Sequence, residues 1–358
     1  MDKQIRLLGI LLVGQLALAV ALFSTGADLQ AVRPDTPLLE FATTDIHRVV
    51  IQGGREGEEV VLVKGEAGWQ LPDHFGFPAD SDKVEALLSR LAALRHGLPV
   101  ATTASALQRF KVSEDAFERR IILHQGEGVA GTLYFGTSPG LRRIHARGDG
   151  DDGVFSVKMA LHDAPFEAER WENKRILTFP EEEVTGLELS GLTLTRDPES
   201  DVVVDSDVEG GEENSDLTPP WQVVGLEGGE TLRADQVDTL VRKLANLSID
   251  RVLGLEAKAA YGLDAPALTL SITRRGQGES HYQVSGPLEG SFHVVKTSNR
   301  PEYFRIPQYA GETLLENAAR NQLVASPVGE ESPSEGNETV TEGMEAAPAV
   351  AMDALLPE

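Results

Sequence analysis

The chain contains no cysteine. That absence removes disulfides, thiolate metal sites and thiol nucleophiles together. Aromatic residues are sparse, at 6% of 358 residues with only three tryptophans, so rings that recur in register carry weight. Basic residues are missing from two long stretches: none lies between Arg196 and Arg233, and none follows Arg320. The same two stretches hold eleven and eight acidic residues, which together supply 19 of the 25 units of net negative charge. The acidity therefore belongs to a loop and a tail, not to the folded body. With so little clustered positive charge to neutralise phosphates, nucleic acid and anionic lipid headgroups are poor partners.

One long apolar run stands out. Lys3 and Arg6 precede an uncharged stretch from Leu7 to Phe23, interrupted only by Gly9, Gly14 and Gln15. It is about the minimum length for a membrane span and longer than the usual core of a signal peptide. The flanking cations predict a cytoplasmic N-terminus, with the bulk of the chain exported. Residues 1–27 are read as a membrane anchor; Thr25-Gly26-Ala27 is a small-residue stretch at which a cleaved signal peptide is the alternative. Two prolines make 28–44 an extended spacer.

An internal duplication organises the remainder. Trp69-Gln70 and Trp221-Gln222 each end a strand-like run 152 residues apart. Each leads through a polar loop into a helix, with apolar positions Val84, Leu87, Leu88, Leu91 and Leu94 in the first and Val237, Leu240, Val241, Leu244 and Leu247 in the second. Both stripes have the spacing of a helix packing one face on a core. Asp80 or Ser81 is the expected N-cap of the first. Ala104–Phe110 reads as a second helix, matched by Leu255–Tyr261. A strand alternation spans Val184–Leu194, a short helix starts near Met159, and Pro307–Gln322 closes the fold as a helix. The expected fold class is α+β: a duplicated domain of antiparallel β-meanders with packed helices, behind one N-terminal transmembrane helix. The repeats are placed at 45–180 and 181–323, with an acidic insert at 197–218 and a tail at 324–358 that is disordered by composition.

Several patterns touch on chemistry. Asp205, Asp207, Glu209 and Asp216, with Gly210 between, approach the spacing of a calcium loop. Pro198, Pro219 and Pro220 deny it flanking helices, so a solvated acidic loop is the preferred reading. Gly131–Ser138 has the glycine spacing of a phosphate loop but a threonine where the lysine must stand. His145 and His293 fall at matching strand positions, as duplication requires, and no His-x-x-x-His pair or nucleophile elbow occurs. Trp69, Trp171, Trp221 and Tyr261 are read as core anchors. No metal, no cofactor and no catalytic residue is expected.

Spaced motifs carry a family resemblance over about residues 45–323. Trp69-Gln70-Leu71 with Pro78-Ala79-Asp80, Trp171-Glu172-Asn173-Lys174 before Ile176-Leu177-Thr178-Phe179, Tyr261-Gly262-Leu263-Asp264-Ala265-Pro266 and the Phe135-Gly136 hairpin entry resemble the DUF4340 family. The resemblance implies a bacterial protein, N-terminally anchored in the inner membrane as a single-pass protein with a periplasmic body, and without an assigned activity. It also implies an envelope accessory role near gliding-type ABC transporter components. Phe110-Lys111-Val112-Ser113 departs from the Tyr-Gly-Leu-Asp pattern in the first repeat. The expected function is a non-enzymatic scaffold for a protein partner in the envelope, the alternative being a periplasmic ligand-binding module with its site between the repeats.

Overall fold

The computed structural model describes Leu12, Gln15 and residues 36–197 and 220–326. Most of the expected anchor, of the acidic insert and of the tail lies outside those residues. No described helix is long and apolar enough to cross a membrane.

The first repeat opens with β1 (Thr36–Pro37), β2 (Arg48–Gly53), β3 (Glu59–Gly65), β4 (Gly68–Leu71) and β5 (Phe77–Pro78). Helix α1 (Ser81–Ala92), β6 (Arg95–His96) and helix α2 (Ala104–Phe110) follow. The meander β7 (Arg119–Gln125), β8 (Gly128–Phe135), β9 (Ile144–Gly148) and β10 (Phe155–Val157) completes it. The second repeat has β11 (Val184–Leu189), β12 (Leu192–Thr195), β13 (Gln222–Val224), β14 (Thr231–Leu232), α3 (Ala234–Ala245) and β15 (Arg251–Gly254). Its meander is β16 (Leu268–Arg274), β17 (Gly278–Val284), β18 (Phe292–Thr297) and β19 (Tyr303–Pro307), followed by α4 (Gln308–Asn317), α5 (Arg320–Leu323) and β20 (Val324–Ala325).

Two eight-stranded sheets result, ordered β10-β9-β8-β7-β2-β3-β4-β5 and β13-β12-β11-β16-β17-β18-β19-β15. Their ladders are antiparallel. The fold is thus α+β, and seven strands run in the same order in both sheets, the edges differing in that β5 extends the first and β15 the second. The N–H of Lys64 donates to the His47 carbonyl at 2.8 Å, and the N–H of Arg196 to that of Thr185 at 3.0 Å, the same bond in each repeat.

Helix α1 buries Val84, Leu87, Leu88 and Leu91, and α3 buries Val237, Leu240, Val241, Leu244 and Ala245. Asp80 caps α1, its Oδ1 accepting from the Lys83 N–H at 3.2 Å. Helix α3 begins without a side-chain cap; the Arg233 N–H donates instead to the Leu323 carbonyl at 2.8 Å. Each repeat has its own apolar core, but Phe77 and Leu177, first-repeat residues in the chain, pack into the second. Gly136 is required by close approach, since a Cβ there would overlap the carbonyl oxygens of Phe110 and Lys111.

Local structure departs from the sequence reading at five places. Val184–Leu194 is a hairpin, not one strand, because Ser190 (φ 51°) and Gly191 (φ 76°) both take positive φ and form a two-residue turn. Leu255–Tyr261 holds only a 3-10 turn at Ala259–Tyr261. In α2 the Thr103 hydroxyl accepts from the Ala106 N–H at 3.3 Å, whereas the matching position is Gly254, which has no side chain to cap with. The segment after Met159 forms 3-10 turns at Leu161–Asp163 and Ala168–Arg170, with Pro165 between them opposing a continuous helix. The C-terminal helix splits at Ala319, whose ψ of 135° is extended. Finally the second repeat runs past residue 323, since Val324 and Ala325 pair with Leu232 and Thr231. Lys111, where the first repeat lacks the motif glycine, adopts the same left-handed conformation as Gly262, with φ 57° against 64°.

Candidate functional site

The richest polar constellation is the junction between the repeats. Its centre is Glu172, 1% exposed, in the segment that leaves the first repeat. A buried carboxylate is costly unless its oxygens are hydrogen-bonded, and here both are. His74 Nε2 lies 2.8 Å from Oε1, and Lys174 Nζ donates to Oε2 at 2.7 Å. The backbone N–H of Val252 in β15 points between the two oxygens, at 3.2 Å from each.

Neighbouring bonds extend this clasp along the edge of the second sheet. The Ile249 N–H donates to the Lys174 carbonyl at 2.9 Å, and Lys174 Nζ also donates to the Asp250 carbonyl. The chain segment 172–174 thus covers β15, whose N–H groups would otherwise form an open edge. On the first repeat's side it is tied down by the Asp80 N–H, which donates to the Trp171 carbonyl at 2.7 Å, and by the Asn173 N–H, which donates to that of Pro78 at 3.0 Å. Phe77 completes the junction against Phe304, with ring centroids 6.2 Å apart. Phe77 and Glu172 are both buried where the repeats meet.

The tryptophan and tyrosine anchors are buried: Trp69, Trp171 and Trp221 are 2%, 0% and 8% exposed, and Tyr261 8%. Trp171 Nε1 donates to the Pro165 carbonyl at 2.9 Å. Lys83 lies over its ring at 5.2 Å and donates to the Arg170 carbonyl. Burial, helped by the nearby Arg170 charge, lowers the Lys83 pKa from the ordinary lysine range. Tyr261 Oη donates to the Leu253 carbonyl at 3.1 Å, beside the junction strand.

His145 and His293 are buried in equivalent places, each donating from Nδ1 to a backbone carbonyl at 2.8 Å, those of Thr137 and Ser285. They lie in different sheets and do not form a ligand pair. Asp205, Asp207, Glu209 and Asp216 lie outside the described residues. Among the described residues no three His, Asp or Glu side chains stand together in a group that could hold a metal ion. Sequence reasoning missed Glu172 as a charge with a task. The Trp-Glu-Asn-Lys motif was visible, but His74 and Val252 are 98 and 80 residues away, and only an acid directly after a core tryptophan hinted at it.

A sequence model described as Domain of unknown function (DUF4340) matches residues 69–266, more than half of the chain. The match starts at Trp69 and ends just before β16, so it spans the junction and takes in part of both sheets. No curated protein and no solved structure is significantly similar to the chain.

Proposed function

The chain belongs to the DUF4340 family, and we propose that it is a membrane-anchored accessory protein of the bacterial envelope, whose double sheet serves as a scaffold for a protein partner. The observation that carries this reading is how the buried polar groups are used. Glu172 joins the repeats, Arg196 bonds to backbone carbonyls, and Tyr261 bonds to the junction strand. These groups are committed to holding a frame, where an acid–base centre keeps at least one free for substrate. Exposed apolar side chains at Leu98, Val129, Leu141, Val224 and Tyr309 supply contact points on that frame.

The anchor rests on Lys3, Arg6 and the apolar run that follows, which place the body in the periplasm. An association with a gliding-type ABC transporter is the finer form of the proposal, and it comes from the family resemblance. In-cell crosslinking followed by purification of the full-length chain tests the reading. A defined envelope partner recovered with the membrane fraction is expected. Fractionation with the cytoplasm, or a purified chain that turns over a substrate, would overturn it.

A further inference from the structure

The tryptophans that mark the two repeats sit in the same frame with different neighbours. In the second repeat, Trp221 Nε1 donates to Asp238 Oδ1 at 2.9 Å. The Arg196 guanidinium lies over the Trp221 ring, 4.7 Å from its centroid. It donates to the carbonyls of Val184 at 2.6 Å and Glu181 at 2.7 Å, and stands 3.7 Å from Asp238 Oδ1. Burial lowers its pKa, opposed by the charges of Asp238 and Glu181.

The first repeat keeps the framework and lacks the arginine. Trp69, Glu85, Ile46 and Thr43 occupy the places of Trp221, Asp238, Val184 and Glu181, and Lys64 that of Arg196. Lys64 is exposed, its ammonium 6.0 Å from the Trp69 ring centroid. A lysine offers a point charge without the planar fork that serves a carboxylate and two carbonyls at once. A cavity of about 190 Å³ opens here between Trp69, Glu85, Thr43 and Leu88, room for several waters at roughly 30 Å³ each. Trp69 Nε1 is buried beside it without an acceptor, which an indole N–H in a core ordinarily finds.

We propose that this vacancy receives the guanidinium of an arginine carried by a partner protein. The guanidinium stacks on the Trp69 ring and its fork addresses Glu85 and the carbonyls of Thr43 and Ile46. Glu85, drawn in by the cation, then accepts from Trp69 Nε1, as Asp238 does from Trp221. Lys64, long and exposed, moves aside. The Glu85 carboxylate that lines the cavity gives the site a negative charge suited to a cation. The bearer of the arginine rests on the scaffold reading above, but the cavity chemistry does not.

The test uses the full-length chain with isotope-labelled indole nitrogens, titrated with N-acetyl-argininamide. The Trp69 signal is assigned by its loss in Trp69→Phe. We expect a saturable shift of the Trp69 N–H with the Trp221 N–H unmoved, weaker binding of N-acetyl-lysinamide, and a roughly tenfold loss of affinity in Glu85→Gln. Lys64→Arg should fill the vacancy from within, abolish the binding and raise the melting temperature. The proposal is overturned if capped arginine gives no saturable shift, if capped lysine binds equally well, or if Lys64→Arg leaves binding intact. A failed search for an envelope partner leaves these signals unaffected, so the two readings fail separately.

Discussion

The two repeats follow one chain path and end on different chemistry. In the first, the Asp80 N–H donates to the Trp171 carbonyl at 2.7 Å; in the second, the Arg233 N–H donates to the Leu323 carbonyl at 2.8 Å. The residues that come next are therefore equivalent, and they are Glu172 and Val324. Both are buried, at 1% and 5% exposure. Val324 closes an apolar core at the end of the fold. Glu172 faces another domain, and there a carboxylate can accept from a sheet edge that a valine side chain cannot reach. Duplication preserved the backbone, and the side chains diverged where one copy meets the other.

Truncating the paired tryptophans should have the largest effect on this comparison. Trp69→Ala and Trp221→Ala are each expected to cost about 3–5 kcal/mol in denaturant unfolding, since both delete a large buried ring. Trp221→Ala should be the worse of the two, because buried Arg196 loses its cover. A change within about 0.5 kcal/mol at either site would put that ring on the surface.

The junction comes next. Glu172→Ala removes the acceptor of the Val252 N–H, His74 and Lys174 together, for a loss of roughly 2–3 kcal/mol. Faster hydrogen exchange at the Val252 amide should accompany it, while the amides of β2 and β7 stay protected. Unchanged exchange at Val252 would show that the carboxylate does not hold the edge.

A finer comparison keeps ring volume and removes only the indole N–H. Trp221→Phe loses a bond to a carboxylate and should cost roughly 1.5–3 kcal/mol. Trp69→Phe loses no bond and should cost less, beyond the small change in ring volume. Equal costs would mean that Trp69 has an acceptor in solution.

The smallest effect concerns an ion pair that only the second repeat has. Arg320 Nη2 donates to Glu230 Oε2 at 2.7 Å, and the Glu227 N–H donates to the same oxygen at 2.8 Å. The Arg320 bond first, and the backbone bond second, hold the Glu230 carboxyl below the usual glutamate range. A depressed carboxylate adds stability that is present above its unfolded pKa and lost as pH falls through the folded one. Glu230→Gln should therefore lower stability slightly at neutral and alkaline pH, leave it unchanged well below the folded pKa, and so flatten the acid limb of the profile. An acid limb as steep as that of the wild type would rule out this assignment.

Much of the frame was legible because its signals are local. The stripes of α1 and α3, the Asp80 cap and the recurrence of Trp-Gln each need only a few neighbouring residues to be read. The errors arose where one residue changed the outcome. Gly254 cannot cap where Thr103 does, and Ser190 with Gly191 folds back a run that alternates like a single strand. The candidate site was less legible. Trp171-Glu172-Asn173-Lys174 could be picked out as a motif, but nothing adjacent shows that Glu172 leaves water.

The sequence by itself determined the α+β class, the duplication and the buried face of each long helix, because periodicity and caps act over a few residues, and its spaced motifs carried the resemblance to the family. Tertiary structure decided which charges are desolvated and what they meet. Glu172 gains His74 and Val252, and Arg196 gains Trp221 and Asp238, only when segments far apart in the chain close around them. The cost of burying a charge depends on that enclosure, and enclosure is a property of the packed chain.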